Sequence, residues 1–142
     1  MSELTPNNVY SLLKRDEGDN SKLYYLNTIP HIGVGHNLAS GPDLTPAARD
    51  MILSDDVAFV VESLHSRVKF WNRLNDIQQA VLISVAFQCG VAGLMAFTKM
   101  LQALSLGDLE NAADELLVST LAKQNVQRTQ RLAQMLRTNQ WV

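Results

Sequence analysis

The chain has 142 residues, 46% of them hydrophobic and 18% charged, with a net charge of −2 and a pI near 5.8. That length predicts one domain with a core of ordinary size. The acidic balance argues against a generic nucleic-acid binder and against a general attraction to anionic membranes or wall polymers, while leaving room for a local basic face.

The N-terminus "MSELTPNNVYSLL" has no basic stretch and no long apolar run, so no signal peptide is expected. No segment reads as the ~18 consecutive apolar residues that would span a bilayer. The first helix is expected from a cap at Thr5-Pro6 or at Asn8, with Val9, Leu12 and Leu13 on one face and Gly18 as its stop. Glu17 then closes that helix, at the end where the dipole disfavours negative charge.

Residues 22–36, "KLYYLNTIPHIGVGH", break the helical pattern. Aromatic and β-branched residues surround the turn signal "NTIP", so a two- or three-stranded patch is expected, with its last strand, His31 to Val34, running into Gly35-His36. "SGPDLTPAARD" reads as a loop ending in a helix start. Thr45 caps, Pro46 takes the first position, and the helix runs to about Ser66 with Leu53, Val57, Val60, Val61 and Leu64 as its stripe.

"VKFWNRLN" reads as a short helix and turn. Asn75 or Asp76 then caps "IQQAVLISVAFQCG", apolar nearly all round and so expected at the middle of the core. Three short helices follow at about 96–106, 108–119 and 126–137, punctuated by Gly107-Asp108 and "KQN". No repeat of 20–50 residues is present. The fold class expected is α+β and mostly helical: one domain over 1–142, with a sheet patch at about 22–36 and a helical lobe formed by about 45–142 and the N-terminal helix.

Several residues invite a chemical reading. Cys89 excludes an internal disulfide by being alone, and its apolar setting favours an inert thiol over a nucleophile. His31 and His36 lie five apart across a Gly-Val-Gly turn, which is not a metal-ligand spacing, and no third ligand stands near. "GVGH" follows no βαβ unit, so it is not a phosphate loop. Arg128, Arg131 and Arg137 lack aromatic interleaving and read as a solvated face before a nucleic-acid helix. Glycoside cleavage needs an acid for the leaving oxygen and usually a second group for water or the sugar carbon. Glu17, at a helix end before a glycine and a strand patch, suits the acid, and it equally suits a surface glutamate.

The ordered set "RDEG", "IGVGHNL", "DLTPAARDMILSDDV", "AVLISVAFQCGVAGLMAFTKML" and "RTNQW" resembles the phage-type lysozymes, the muramidases of glycoside hydrolase family 24. The resemblance covers about residues 8–141. It implies a lysozyme-like fold with a small N-terminal sheet lobe and a helical lobe around a central apolar helix. It implies cleavage of peptidoglycan between N-acetylmuramic acid and N-acetylglucosamine. It places the family's catalytic acid on Glu17 and its Gly-x-Gly-His turn on Gly33-Val34-Gly35-His36. Asp56 falls where an acid pairs with that histidine, Arg128 where an arginine lies beside the acid, and Phe87 and Gln88 where the cleft binds sugar.

Two positions depart from the family. Leu26 stands where its second acid, an Asp, falls, with Asn27 the nearest polar residue and Tyr25 the alternative neighbour. His31 stands where the family has Thr, and the hairpin between is one residue shorter. The loop from His36 to Thr45 is also shorter than the family's. An imidazole at 31 can act as general base or nucleophile. A single acid can instead drive attack by the sugar's own 6-hydroxyl, as in lytic transglycosylases. A third reading is an impaired lysozyme fold that binds glycan or serves as a structural part of a virion or secretion apparatus. The expectation is an endolysin-type enzyme without cofactor or metal, monomeric, with peptidoglycan as partner, no nucleic acid and no membrane insertion. It would be made in a host cytoplasm and act on the periplasmic wall after release.

Overall fold

The computed structural model describes residues 6–142, which form two compact units, one ending at Arg49 and one spanning Asp50–Val142. The first contains α1 (Val9–Glu17) and a three-stranded antiparallel sheet in the order β1 (Asn20–Leu26), β2 (Ile29–Gly33), β3 (His36–Asn37). Asn8 caps α1 in a capping box with Ser11, accepting from the Ser11 N–H at 2.9 Å. Thr5, the other expected cap, lies outside the described residues. Gly18 ends the helix at φ 78°, a conformation that favours glycine.

β1 and β2 join through the two-residue turn Asn27-Thr28, with Asn27 in the left-handed region at φ 56°. Asparagine tolerates that region, and a two-residue loop of this kind matches the twist of a hairpin. The register sets Tyr24 opposite His31, Tyr25 opposite Pro30 and Leu26 opposite Ile29. His31 is the one buried residue among the described residues of this unit.

Helix α2 (Pro46–Arg67) begins where the sequence predicts, with the Thr45 hydroxyl accepting from the Ala48 N–H at 3.2 Å. Its expected stripe is fully buried only at Leu64; Leu53 is exposed. A single 3-10 turn, Trp71–Arg73, leads to α3 (Asp76–Met95), capped by Asn75 through Gln78. Val81, Leu82, Val85, Ala86 and Leu94 of α3 lie in the core cluster.

Three sequence expectations need correction here. By length and mean hydropathy, 1.5, α3 does reach the measure of a membrane span, but the helix contributes five buried side chains to a core and breaks at Gly90, at φ 77° and ψ 164°. The last region holds four helices, not three: α4 (Thr98–Ser105), α5 (Leu109–Leu117), α6 (Thr120–Gln124) and α7 (Val126–Thr138). α6 has five residues, too few for a hydrophobic period to show. The segment after Gly90 is also helical, so α3 extends to Met95.

Candidate active site

Glu17 owes its place to the stop at Gly18. The carboxylate of this exposed residue reaches over the Gly33-Val34-Gly35-His36 turn: a Cβ built on Gly35 would lie 3.3 Å from Glu17 Oε2. Gly35 has φ +67°, so both its backbone and the nearby carboxylate call for glycine. The neighbouring acids are otherwise engaged. Arg15 Nε donates to Asp16 Oδ1 at 2.8 Å and holds that carboxyl below its usual range, while Asp19 lies 3.6 Å from Lys14 Nζ. Glu17 is in no ion pair among those of the first unit.

His31 sits on β2 with its ring stacked on Tyr24, centroids 5.6 Å apart at 26°. The strand register produces that stack, because cross-strand partners share a face. Its Nδ1 lies 3.0 Å from the Ile29 carbonyl oxygen. A carbonyl only accepts, so the bond places a proton on Nδ1, and in the neutral ring Nε2 carries the lone pair. Nε2 has no partner among the described residues, yet no buried side-chain nitrogen or oxygen is left unsatisfied. Nε2 is therefore not wholly sealed from solvent, in a residue that is only 8% exposed.

Around this pair, Tyr25 is exposed on the opposite face of β1, Asn27 forms the hairpin turn, and Leu26 is exposed. Position 26 thus offers an exposed apolar side chain. His36 opens β3, half-buried.

In the second unit, Arg128 on α7 grips Ser84 on α3. Its Nη2 donates to Ser84 Oγ at 2.9 Å and to the Ser84 carbonyl at 3.2 Å, and Nε reaches Oγ at 3.3 Å. Gln88 Nε2 donates to the same carbonyl at 3.4 Å. Phe87 is 42% exposed and Asp56 is exposed on α2. Sequence reasoning missed Ser84 and Tyr24. Ser84 had a signal, the one hydroxyl inside "AVLISVAF"; Tyr24 had none until the register was known.

A cavity of about 510 Å³ in this unit opens beside Cys89, Phe97, Lys99 and Glu115. Burial pushes the Cys89 thiol up, and its Sγ donates to the Val85 carbonyl at 3.2 Å. Among the described residues, no group of three His, Cys, Asp or Glu side chains is placed to hold a metal ion. The residues grouped by the family resemblance divide between the units: Glu17, Tyr25, Asn27, His31 and His36 in the first, Asp56, Phe87, Gln88 and Arg128 in the second.

An acid over a Gly-x-Gly-His turn at the end of a helix, beside a small antiparallel sheet and followed by a helical unit, is the arrangement of a lysozyme. Comparison with known proteins agrees: the phage lysozyme family matches residues 14–137, and the chain belongs to that family. It is 32% identical over 126 residues to the endolysin of Salmonella phage P22, spanning 83% of this chain and 84% of that one. It is 30% identical over 122 residues to the endolysin of Acyrthosiphon pisum secondary endosymbiont phage 1, covering 83% and 81%. It is also 30% identical over 129 residues to the pre-baseplate central spike protein of Enterobacteria phage T4, covering 71% of this chain and 22% of that much longer protein.

Proposed function

We propose that this chain cleaves bacterial peptidoglycan between N-acetylmuramic acid and N-acetylglucosamine, with Glu17 as the acid and His31 as the second catalytic group. The observation that carries the reading is the presence, in one small unit, of a carboxylate over Gly35 that joins no ion pair among the described residues and of an imidazole whose Nε2 has no hydrogen-bond partner among them. Glu17 protonates the leaving glycosidic oxygen. In the neutral form of His31, with the proton on Nδ1 toward the Ile29 carbonyl, Nε2 takes a proton from water or attacks the anomeric carbon. The family resemblance makes Gln88, Phe87, Asn27 and Tyr25 the candidate glycan contacts and Arg128, His36 and Asp56 the candidate supporting residues. The endolysin names of two relatives favour a wall-degrading role at the periplasm over a purely structural one.

A second reading has its own support. A ring stacked on tyrosine and bonded to a carbonyl is also how a structural histidine is satisfied. Glu17 would then act alone, with the muramic 6-hydroxyl as nucleophile, and the product would be an anhydro-sugar.

Digestion of purified walls with mass spectrometry of the fragments tests both. Hydrolysis leaves reducing muramic ends, and the single-acid route leaves anhydro ends. Glu17→Gln should abolish cleavage while leaving the melting temperature unchanged, because the amide keeps the shape and loses the proton. Surviving cleavage in that variant would remove Glu17 from the mechanism. An intact chain that binds walls and releases no fragments would replace both readings with a glycan-binding role.

A further inference from the structure

Away from these residues, the second unit carries a two-lobed groove. One lobe, about 310 Å³, is lined by Phe70, Arg73, Leu74 and Leu104 among others; the second, about 280 Å³, by Arg67, Val68, Lys69 and Leu101. Phe70 and Ser105 line both, so the lobes adjoin. The cations come from one stretch, "RVKFWNR", at the end of α2 and the 3-10 turn. All three are exposed, and no carboxylate lines either lobe. The ion pairs among the described residues engage Lys14, Arg15 and Arg137, so Arg67, Lys69 and Arg73 are not neutralised by them. The rest of this unit carries nine acids against five lysines and arginines, which makes the basic cluster local.

The smaller lobe is mainly apolar and the larger one mixed, and an apolar side chain stands at the edge of the larger. Leu106 is 77% exposed on the turn between α4 and α5, next to Gly107 at φ +74°. A hydrophilic polyanion would use the cations and gain nothing from that surface. An anionic amphiphile uses both, with its phosphate among the basic groups and its apolar part against leucine and phenylalanine.

We infer that this groove docks the chain on an anionic phospholipid surface. The contact is peripheral: Arg67, Lys69 and Arg73 meet the headgroup phosphates while Leu106 and the half-buried Phe70 meet the boundary of the acyl region. It is independent of the cleavage chemistry, since none of these residues belongs to the proposed site.

Cosedimentation of the full chain with phosphatidylglycerol-containing vesicles at low salt tests this. The parent should bind those vesicles, release from them at high salt, and ignore pure phosphatidylcholine vesicles. Each cation near such a surface is worth about five-fold in binding, so a triple Arg67→Gln, Lys69→Gln, Arg73→Gln variant should bind about a hundred-fold more weakly. Leu106→Ser should weaken binding as well, and circular dichroism checks that both variants fold. Absent vesicle binding, equal binding to both vesicle types, or a triple variant that binds like the parent each overturns the inference. So does displacement by soluble glycerol phosphate with no effect of Leu106→Ser, which makes the ligand a free phosphate. Retention on purified wall sacculi that the triple variant loses, without vesicle binding, assigns the groove to a wall polymer instead.

Discussion

The chemistry proposed for this chain turns on which nitrogen of His31 is free. The Ile29 carbonyl decides it by accepting from Nδ1, and Tyr24 holds the ring plane. If the imidazole is base or nucleophile, His31→Ala should lose wall cleavage, and His31→Thr should not restore it, because the side chain at 26 is leucine and not an acid. A His31→Ala variant that digests walls at the parent's rate, with anhydro ends, would leave Glu17 as the sole catalytic group. Cys89 gives a separate check on local environment. Burial raises its pKa, so the folded chain holds less thiolate than the unfolded chain at a given pH. Iodoacetamide near pH ~8.5 should label the native protein more slowly than the urea-unfolded protein, and equal rates would contradict the burial. Glu17 was legible in the sequence because a helix stop and a glycine bracket it. The tautomer of His31 was not, because it depends on a carbonyl two residues away that only the strand geometry brings to 3.0 Å.

At the scale of elements, the caps were the most legible features. Asn8, Thr45 and Asn75 all occupy helix starts that their residue types announce. Asn75 does more than cap α3: its Nδ2 also donates to Asn139 Oδ1 at 2.8 Å, tying the start of α3 to the end of α7. Asn75→Ala should therefore destabilise by about 1–2 kcal/mol in chemical denaturation, toward the upper end of a cap's worth. The break in α3 was not legible, since a glycine inside an apolar helical run is compatible with an unbroken helix. Gly90 adopts φ 77° and ψ 164°, a region nearly closed to other residues, and no atom lies within 4 Å of a Cβ built there. Gly90→Ala should thus cost about 1–3 kcal/mol through backbone strain alone, without a clash. An unchanged melting temperature would mean that the helix runs straight through this point.

For the whole molecule, the decisive fact is where the core lies. Among the described residues, the buried hydrophobic ones, from Leu64 to Leu136, all belong to the second unit, and the first buries His31 alone. Local opening free energy follows buried apolar contact. Amide hydrogen exchange should be slowest in α3 around Val81–Ala86 and fastest in the three strands, and the reverse order would contradict this division. The sequence signalled the core through "IQQAVLISVAFQCG", whose central residues are buried as expected, and the sheet through its turn residues. It could not signal how little the sheet encloses, because Leu23, Tyr25 and Leu26 look like core residues and are exposed.

That thin sheet has a consequence for how such a protein changes over generations. A substitution in a packed interior must first survive its effect on folding, and most large ones do not. Substitutions among the exposed residues of β1 and the hairpin carry little of that burden. A lineage could therefore change the exposed residue at 26, or its neighbours in the hairpin, and have the result judged almost entirely by what it did to catalysis. The helical unit keeps the fold, and the sheet is left free to experiment.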